Sequence, residues 1–140
     1  RDIVYGVLLG VVLFFLVNFR MTFTSLPTFD FDVGAAVILF VVSFGVASWQ
    51  EENIYRGHLQ PKLELLATPK WRANAIQAIL FSIAHIGFWQ FTSIATLLFD
   101  LAKVALLGFV LGYYRQRYGS LLAPFIAHGL LDFFPIFWQY

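Results

Sequence analysis

The chain has 140 residues, 60% of them hydrophobic and only 12% charged, with a formal net charge of +1. A soluble domain carries about 25% charged residues and leaves roughly a third of its unfolded surface wet, so this composition excludes a water-soluble globular fold. No basic stripe offers itself to a nucleic acid, and the absence of cysteine removes disulfides, thiolate metal sites and a Cys nucleophile together.

A bilayer core of ~30 Å takes about 20 apolar residues wound as a helix. Residues 3–19 form the first such run. It is too long for a signal-peptide core and lacks an obvious cleavage site, so it reads as a true span. A polar loop over 20–32 follows, with Pro27 and two acids. The second run starts at Val33 and reaches about Tyr55; it is apolar to Trp49 and then abruptly charged at Glu51, Glu52 and Arg56.

Residues 57–70 read as a short amphipathic interfacial helix. Leu59, Leu63 and Leu66 lie on one side, Gln60, Lys62 and Glu64 elsewhere, with Pro61 in the first turn and Pro69 closing it. Residues 71–89 and 94–114 make the third and fourth runs. A Tyr118-Gly119-Ser120 turn leads into the fifth, 121–138. The spacing of Gly108 and Gly112 in the fourth suits close helix packing. Asp100 and Lys103 read as an edge pair or packing contact, and His58 receives no role. There is no internal repeat or linker. The expected fold is all-α: a polytopic transmembrane helical bundle of about five spans plus the interfacial helix, in one membrane domain over 1–140.

Basic loops face the cytosol. Arg56, Lys62, Lys70 and Arg72 lie between the second and third runs, and Arg115 and Arg117 between the fourth and fifth. With five spans the N-terminus is cytosolic as well.

A charged side chain at a span centre costs about 2.5–3.5 kcal/mol on insertion scales, so such residues mark a functional interior. Residues four apart share a helix face. Glu52 and Arg56 therefore read as a structural pair. Glu51 is rotated from Glu52 by ~100° and is free to point elsewhere, its bland alternative being a solvated carboxylate at a helix end. His128 and Asp132 also share a face, and His85 comes from another helix. A set of Glu51, His85, His128 and Asp132 can hold a water, deprotonate it and stabilise an oxyanion. The same residue types suit zinc, and spacing alone does not choose. A proton relay also uses such groups, but these cluster at one level and form no chain across the bilayer.

At these residues the chain resembles the CAAX protease and bacteriocin-processing (CPBP, or Abi) family of intramembrane endopeptidases. Glu51-Glu52-Asn53-Ile54-Tyr55-Arg56 matches its EExxxR motif, Phe81 to His85 its FxxxH, and His128 to Asp132 its HxxxN or HxxxD. The resemblance covers about residues 46–134, the core catalytic unit. It implies a glutamic-type membrane hydrolase in which Glu51 is the general base and activates a water with His85. Glu52 and Arg56, with Phe81, would support the site, while His128 and residue 132 would polarise the scissile carbonyl. That last residue is Asn in the prenyl-protein proteases of the family and Asp132 here. An ionised Asp would repel an oxyanion, so Asp132 must be protonated or must instead orient His128; it is also the better metal ligand of the two.

The mechanism this implies is metal-independent, with no cofactor; zinc is the alternative, on Glu51, His85, His128 and Asp132. The partners implied are a peptide or membrane-protein substrate and the lipid bilayer, with no nucleic acid. The rival reading is a catalytically silent scaffold or assembly factor that keeps the fold and binds another membrane protein.

Overall fold

The computed structural model describes residues 1–18, 32–88 and 93–138. Among the described residues there are five helices and no strand, as the all-α expectation requires. They are α1 (Asp2–Val17), α2 (Val33–Leu66), α3 (Lys70–Ala84), α4 (Ile94–Tyr118) and α5 (Leu122–Phe133). A 3-10 turn, His85–Phe88, follows α3, and another, Phe134–Trp138, follows α5, where Pro135 has no N–H to continue the helix. The loop expected over 20–32 lies outside the described residues apart from Asp32, as do Phe19 and Trp89 at the ends of the first and third runs.

Helices α2 and α4 are long and apolar enough to cross a membrane; α1 and α5 are shorter apolar helices. Large apolar side chains stand outward along them, among them Leu8, Leu16, Ile38, Leu98, Phe99 and Leu106. An outer surface so rich in exposed apolar groups suits lipid as the solvent.

The sequence suggested a break after Tyr55, but α2 runs unbroken for 34 residues. Its N-terminus is capped by Asp32, whose Oδ1 accepts from the Ala35 N–H at 2.6 Å. Two stretches, Val41–Ser48 and Glu52–Leu59, are wound as wider π turns. Pro61 enters at the start of the α-wound turn that follows, where a missing N–H costs least. Gly57 costs about 1 kcal/mol in a helix, which packing overrides.

Contacts divide the chain into two compact units. The first comprises Arg1–Glu52 and Ser120–Tyr140. Here α1 lies along α5 through a seam of small residues. A Cβ on Gly6 would stand 2.8 Å from Ile126 Cβ, and one on Gly10 would stand 3.0 Å from Ala127 Cα, while Ala123 and Ala127 are fully buried opposite them. Backbones this close are how membrane helices gain van der Waals contact without a hydrophobic drive. The N-terminal half of α2 packs on α5 by Ser48, whose hydroxyl donates to the Phe125 carbonyl at 2.6 Å. The Phe44 ring covers Gly129 so tightly that a Cβ there would collide with it.

The second unit is Asn53–Gly119. Helix α3 and the end of α2 pack on α4 through a polar seam that the sequence did not announce. Gln60 donates to the Gly112 carbonyl at 3.0 Å, Asn74 to Phe109 at 2.9 Å, and Gln77 to both Asn74 Oδ1 at 2.9 Å and the Gly108 carbonyl at 3.0 Å. All three amide side chains are fully buried. The close approach expected at Gly108 and Gly112 is present, since a Cβ on Gly108 would stand 3.3 Å from Ala78 Cα. Helix α4 opens on a Ser93–Thr96 capping box and closes on Gly119 at φ 69°, a left-handed cap that glycine adopts without strain. Asp100 and Lys103 pair at 2.7 Å, as their spacing suggests.

The amphipathic reading of 57–70 is corrected in part. Gln60, expected among the polar positions, is fully buried, while Leu66, expected on the apolar face, is 85% exposed and Leu65 is 86% exposed.

Candidate active site

In the first unit His128 stands on α5 facing α2. Its Nδ1 lies 2.9 Å from Glu52 Oε1. Its Nε2 lies 3.6 Å from Glu51 Oε2 and 3.6 Å from Asp132 Oδ2. Two consecutive glutamates thus reach one imidazole from its two nitrogens, and Asp132 joins from one turn further along α5. The side chains grade from dry to wet: Glu52 is 1% exposed, His128 8%, Glu51 26% and Asp132 41%.

Burial of a carboxylate such as Glu52 costs several kcal/mol unless it is met by a hydrogen-bond donor. The His128 ring supplies one from Nδ1. With that nitrogen engaged, Nε2 is the atom left to act. It points toward the more open side, where Glu51 and Asp132 lie.

The second unit holds the other motif residues. The Phe81 ring, 3% exposed, carries the Arg56 guanidinium at 4.2 Å from its centroid and meets Tyr55 edge-on at 5.0 Å. Arg56 is itself fully buried and donates from Nη2 to the Gly108 carbonyl at 3.3 Å. A buried cation needs such a π face and such an acceptor. His85 closes α3, with its ring centroid 4.5 Å from that of Phe81 and its Nδ1 2.7 Å from the Phe81 carbonyl oxygen. A carbonyl only accepts, so Nδ1 carries the proton and the neutral ring presents Nε2 as a base. Both histidines are therefore anchored through Nδ1, which leaves Nε2 as the other ring nitrogen of each.

Glu51, Glu52, His128 and Asp132 come together in the first unit, and Arg56, Phe81 and His85 in the second. Among the described residues no group of three or more His, Asp or Glu side chains is disposed to hold a metal ion. One feature beside the first-unit cluster escaped the sequence reading: an apolar groove of about 640 Å³ lined by Phe40, Val41, Phe44, Gly45, Trp49 and Phe125. Trp49 precedes Glu51 by two residues and Phe125 precedes His128 by three. The four-residue spacing of Phe40 and Phe44, whose rings lie 4.7 Å apart, is the only sequence signal of it.

A buried imidazole held by one carboxylate and faced by two others is a set of groups able to move protons. Residues 33–134 match the family described as type II CAAX prenyl endopeptidase, Rce1-like, and the chain belongs to that family of proteases. With its long apolar helices, that membership makes it an integral membrane protein. No curated protein and no solved structure matches the chain.

Proposed function

We propose that this protein is an intramembrane endopeptidase that hydrolyses a peptide bond of a membrane-associated peptide or protein near the cytosolic side. The observation that carries this reading is His128, buried between Glu52 at Nδ1 and Glu51 at Nε2. Glu51, a quarter exposed, takes the proton of a water as its oxygen adds to the scissile carbonyl carbon. The carbonyl π pair moves onto oxygen, and that oxyanion accepts a hydrogen bond from Nε2–H of the His128 imidazolium, whose Nδ1–H donates to Glu52 at the other side of the ring. When the tetrahedral intermediate collapses, the C–N bond breaks and the proton on Glu51 passes to the leaving amine. His85 takes its part in water activation from the family motif, and the Nδ1 bond to Phe81 supports Nε2 as its working atom.

Asp132 Oδ2 faces the same Nε2 at 3.6 Å, which favours an orienting role over direct contact with the oxyanion. The mechanism needs no metal or other cofactor. The chain crosses the bilayer in about five spans as one domain, with the N-terminus and the basic residues of the α2 end, the α3 start and the α4 end on the cytosolic side, a reading supported by the distribution of basic residues.

The test is cleavage of a fluorogenic prenylated peptide and of an unbiased peptide pool by purified protein, with and without a chelator. Glu51→Gln and His128→Ala are expected to lose activity by about 10²- to 10⁴-fold. Activity that survives chelator sustains the Glu/His mechanism, whereas loss in chelator moves the site to zinc. Wild type that cleaves nothing while still binding a native membrane partner overturns the reading in favour of a scaffold.

A further inference from the structure

The end of α2 presents a surface that the proposed chemistry does not use. Leu65 and Leu66 are 86% and 85% exposed, more than any other large apolar residue described. They occupy the last turn of the helix, beyond the apolar stretch long enough to cross a membrane. Lys62 lies one turn before them on the same face and is exposed. After three residues α3 begins with Lys70, Trp71 and Arg72, all exposed, with Trp71 at 57%.

The end of α4 joins this surface, because Gln116 donates from its side chain to the Lys70 carbonyl at 2.8 Å. Its neighbours Arg117 and Tyr118 are exposed, and the Arg117 guanidinium lies over the Tyr118 ring at 5.8 Å. Arg72 sits over the Trp71 ring at the same distance.

The charge here has one sign. The single acid of this region, Glu64, is turned inward, where its Oε1 accepts from Arg115 at 2.8 Å and from Gln116 at 3.1 Å. What remains outward is Lys62, Lys70, Arg72 and Arg117 around two leucines, a tryptophan and a tyrosine. Water would leave the leucines unsatisfied, and a protein partner would leave the cations needing an acidic face. A headgroup layer satisfies both: leucine and indole enter the acyl boundary while ammonium and guanidinium groups meet phosphates.

We propose that the α2 end, the α3 start and the α4 end form one docking surface for anionic phospholipid headgroups of the bilayer in which the protein sits. The leucines and Trp71 set the depth of this surface, and the four cations select lipids with net negative charge over zwitterionic ones. Each cation near an anionic membrane is worth about fivefold in affinity at low salt, and salt screens the effect.

The experiment takes the full chain in mixed micelles of equimolar phosphatidylcholine and phosphatidylglycerol and reads bound lipid by native mass spectrometry. Wild type should retain phosphatidylglycerol several-fold over phosphatidylcholine. The quadruple variant Lys62→Gln, Lys70→Gln, Arg72→Gln and Arg117→Gln should lose that preference, and Lys103→Gln should keep it. All four positions are exposed, so an unchanged thermal transition serves as the check on folding. A second reading is the tryptophan quenching that disappears in Trp71→Phe, which should be greater with headgroup-labelled lipid in nanodiscs than with a label deep in the acyl chain. Equal retention of the two lipids by wild type, a preference surviving in the quadruple variant, or Trp71 quenched only from the acyl depth would each overturn the proposal.

Discussion

His128 is the residue on which the proposed chemistry turns, and its two nitrogens have different partners. Glu52 sits on Nδ1 with almost no exposure, so in the proposed mechanism it holds the ring and does not meet substrate. Glu52→Ala is expected to lower kcat by roughly 10²-fold with KM little changed, since ring orientation matters most in the transition state. Glu52→Gln keeps an acceptor at the same place and should recover part of that loss; steady-state kinetics on one peptide separates the two. At Asp132 the expectation reverses the usual order of severity. Asp132→Asn preserves shape and adds an N–H that can reach an oxyanion, so it should stay within about tenfold of wild type, whereas Asp132→Leu should not. His128 and the three carboxylates gathered around it could be nominated from helix spacing and charge alone. Which nitrogen each carboxylate meets could not, because spacing says nothing of how a ring is turned.

Helices are where periodicity and breakers were both informative and misleading. The apolar runs near 2–17, 94–118 and 122–133 were legible because lipid-facing and helix-facing positions are alike apolar. The unbroken course of α2 was hidden by Gly57 and Pro61, which look like punctuation when read locally. The polar seam was hidden for another reason. Gln60, Asn74 and Gln77 find their acceptors on α4, 31 to 52 residues away in sequence. Gly112 is the place where that seam is most sensitive. A Cβ there would run into Asn74 Oδ1 and the Gln77 amide, so Gly112→Ala should destabilise the second unit by about 1–3 kcal/mol. Gly6→Leu should do at least as much to the α1–α5 seam. Thermal unfolding in detergent, followed by helical circular dichroism, checks both.

At the scale of the whole molecule the absence of cysteine is a practical gift, because any introduced thiol is the only one present. Single cysteines at Lys62, Arg117 and Ser93 can be challenged in sealed vesicles with a membrane-impermeant maleimide. Positions 62 and 117 are expected to label from the cytosolic face and position 93 from the opposite face. Labelling of 62 and 93 from the same side would overturn the proposed span count. Family and all-α class were both readable before any coordinates, since three ordered motifs on apolar runs are hard to assemble by chance.

The length of the apolar part of α2 has a consequence for the membrane around it. From Val33 to Gln50 the helix carries only 18 residues before its first carboxylates, about 27 Å at 1.5 Å per residue against a hydrocarbon core of ~30 Å. The uncharged part of this helix is thus slightly shorter than an average bilayer core, although the whole helix is long enough to cross it, and the shortfall falls at the end that bears Glu51 and Glu52. Lipids with longer acyl chains would draw those acids toward hydrocarbon unless the sheet thins around the protein, at a cost of a fraction of a kcal/mol per ångström. Proteolysis measured across phosphatidylcholines of increasing chain length should peak in thin bilayers and decline in thick ones, so membrane thickness itself would set the rate.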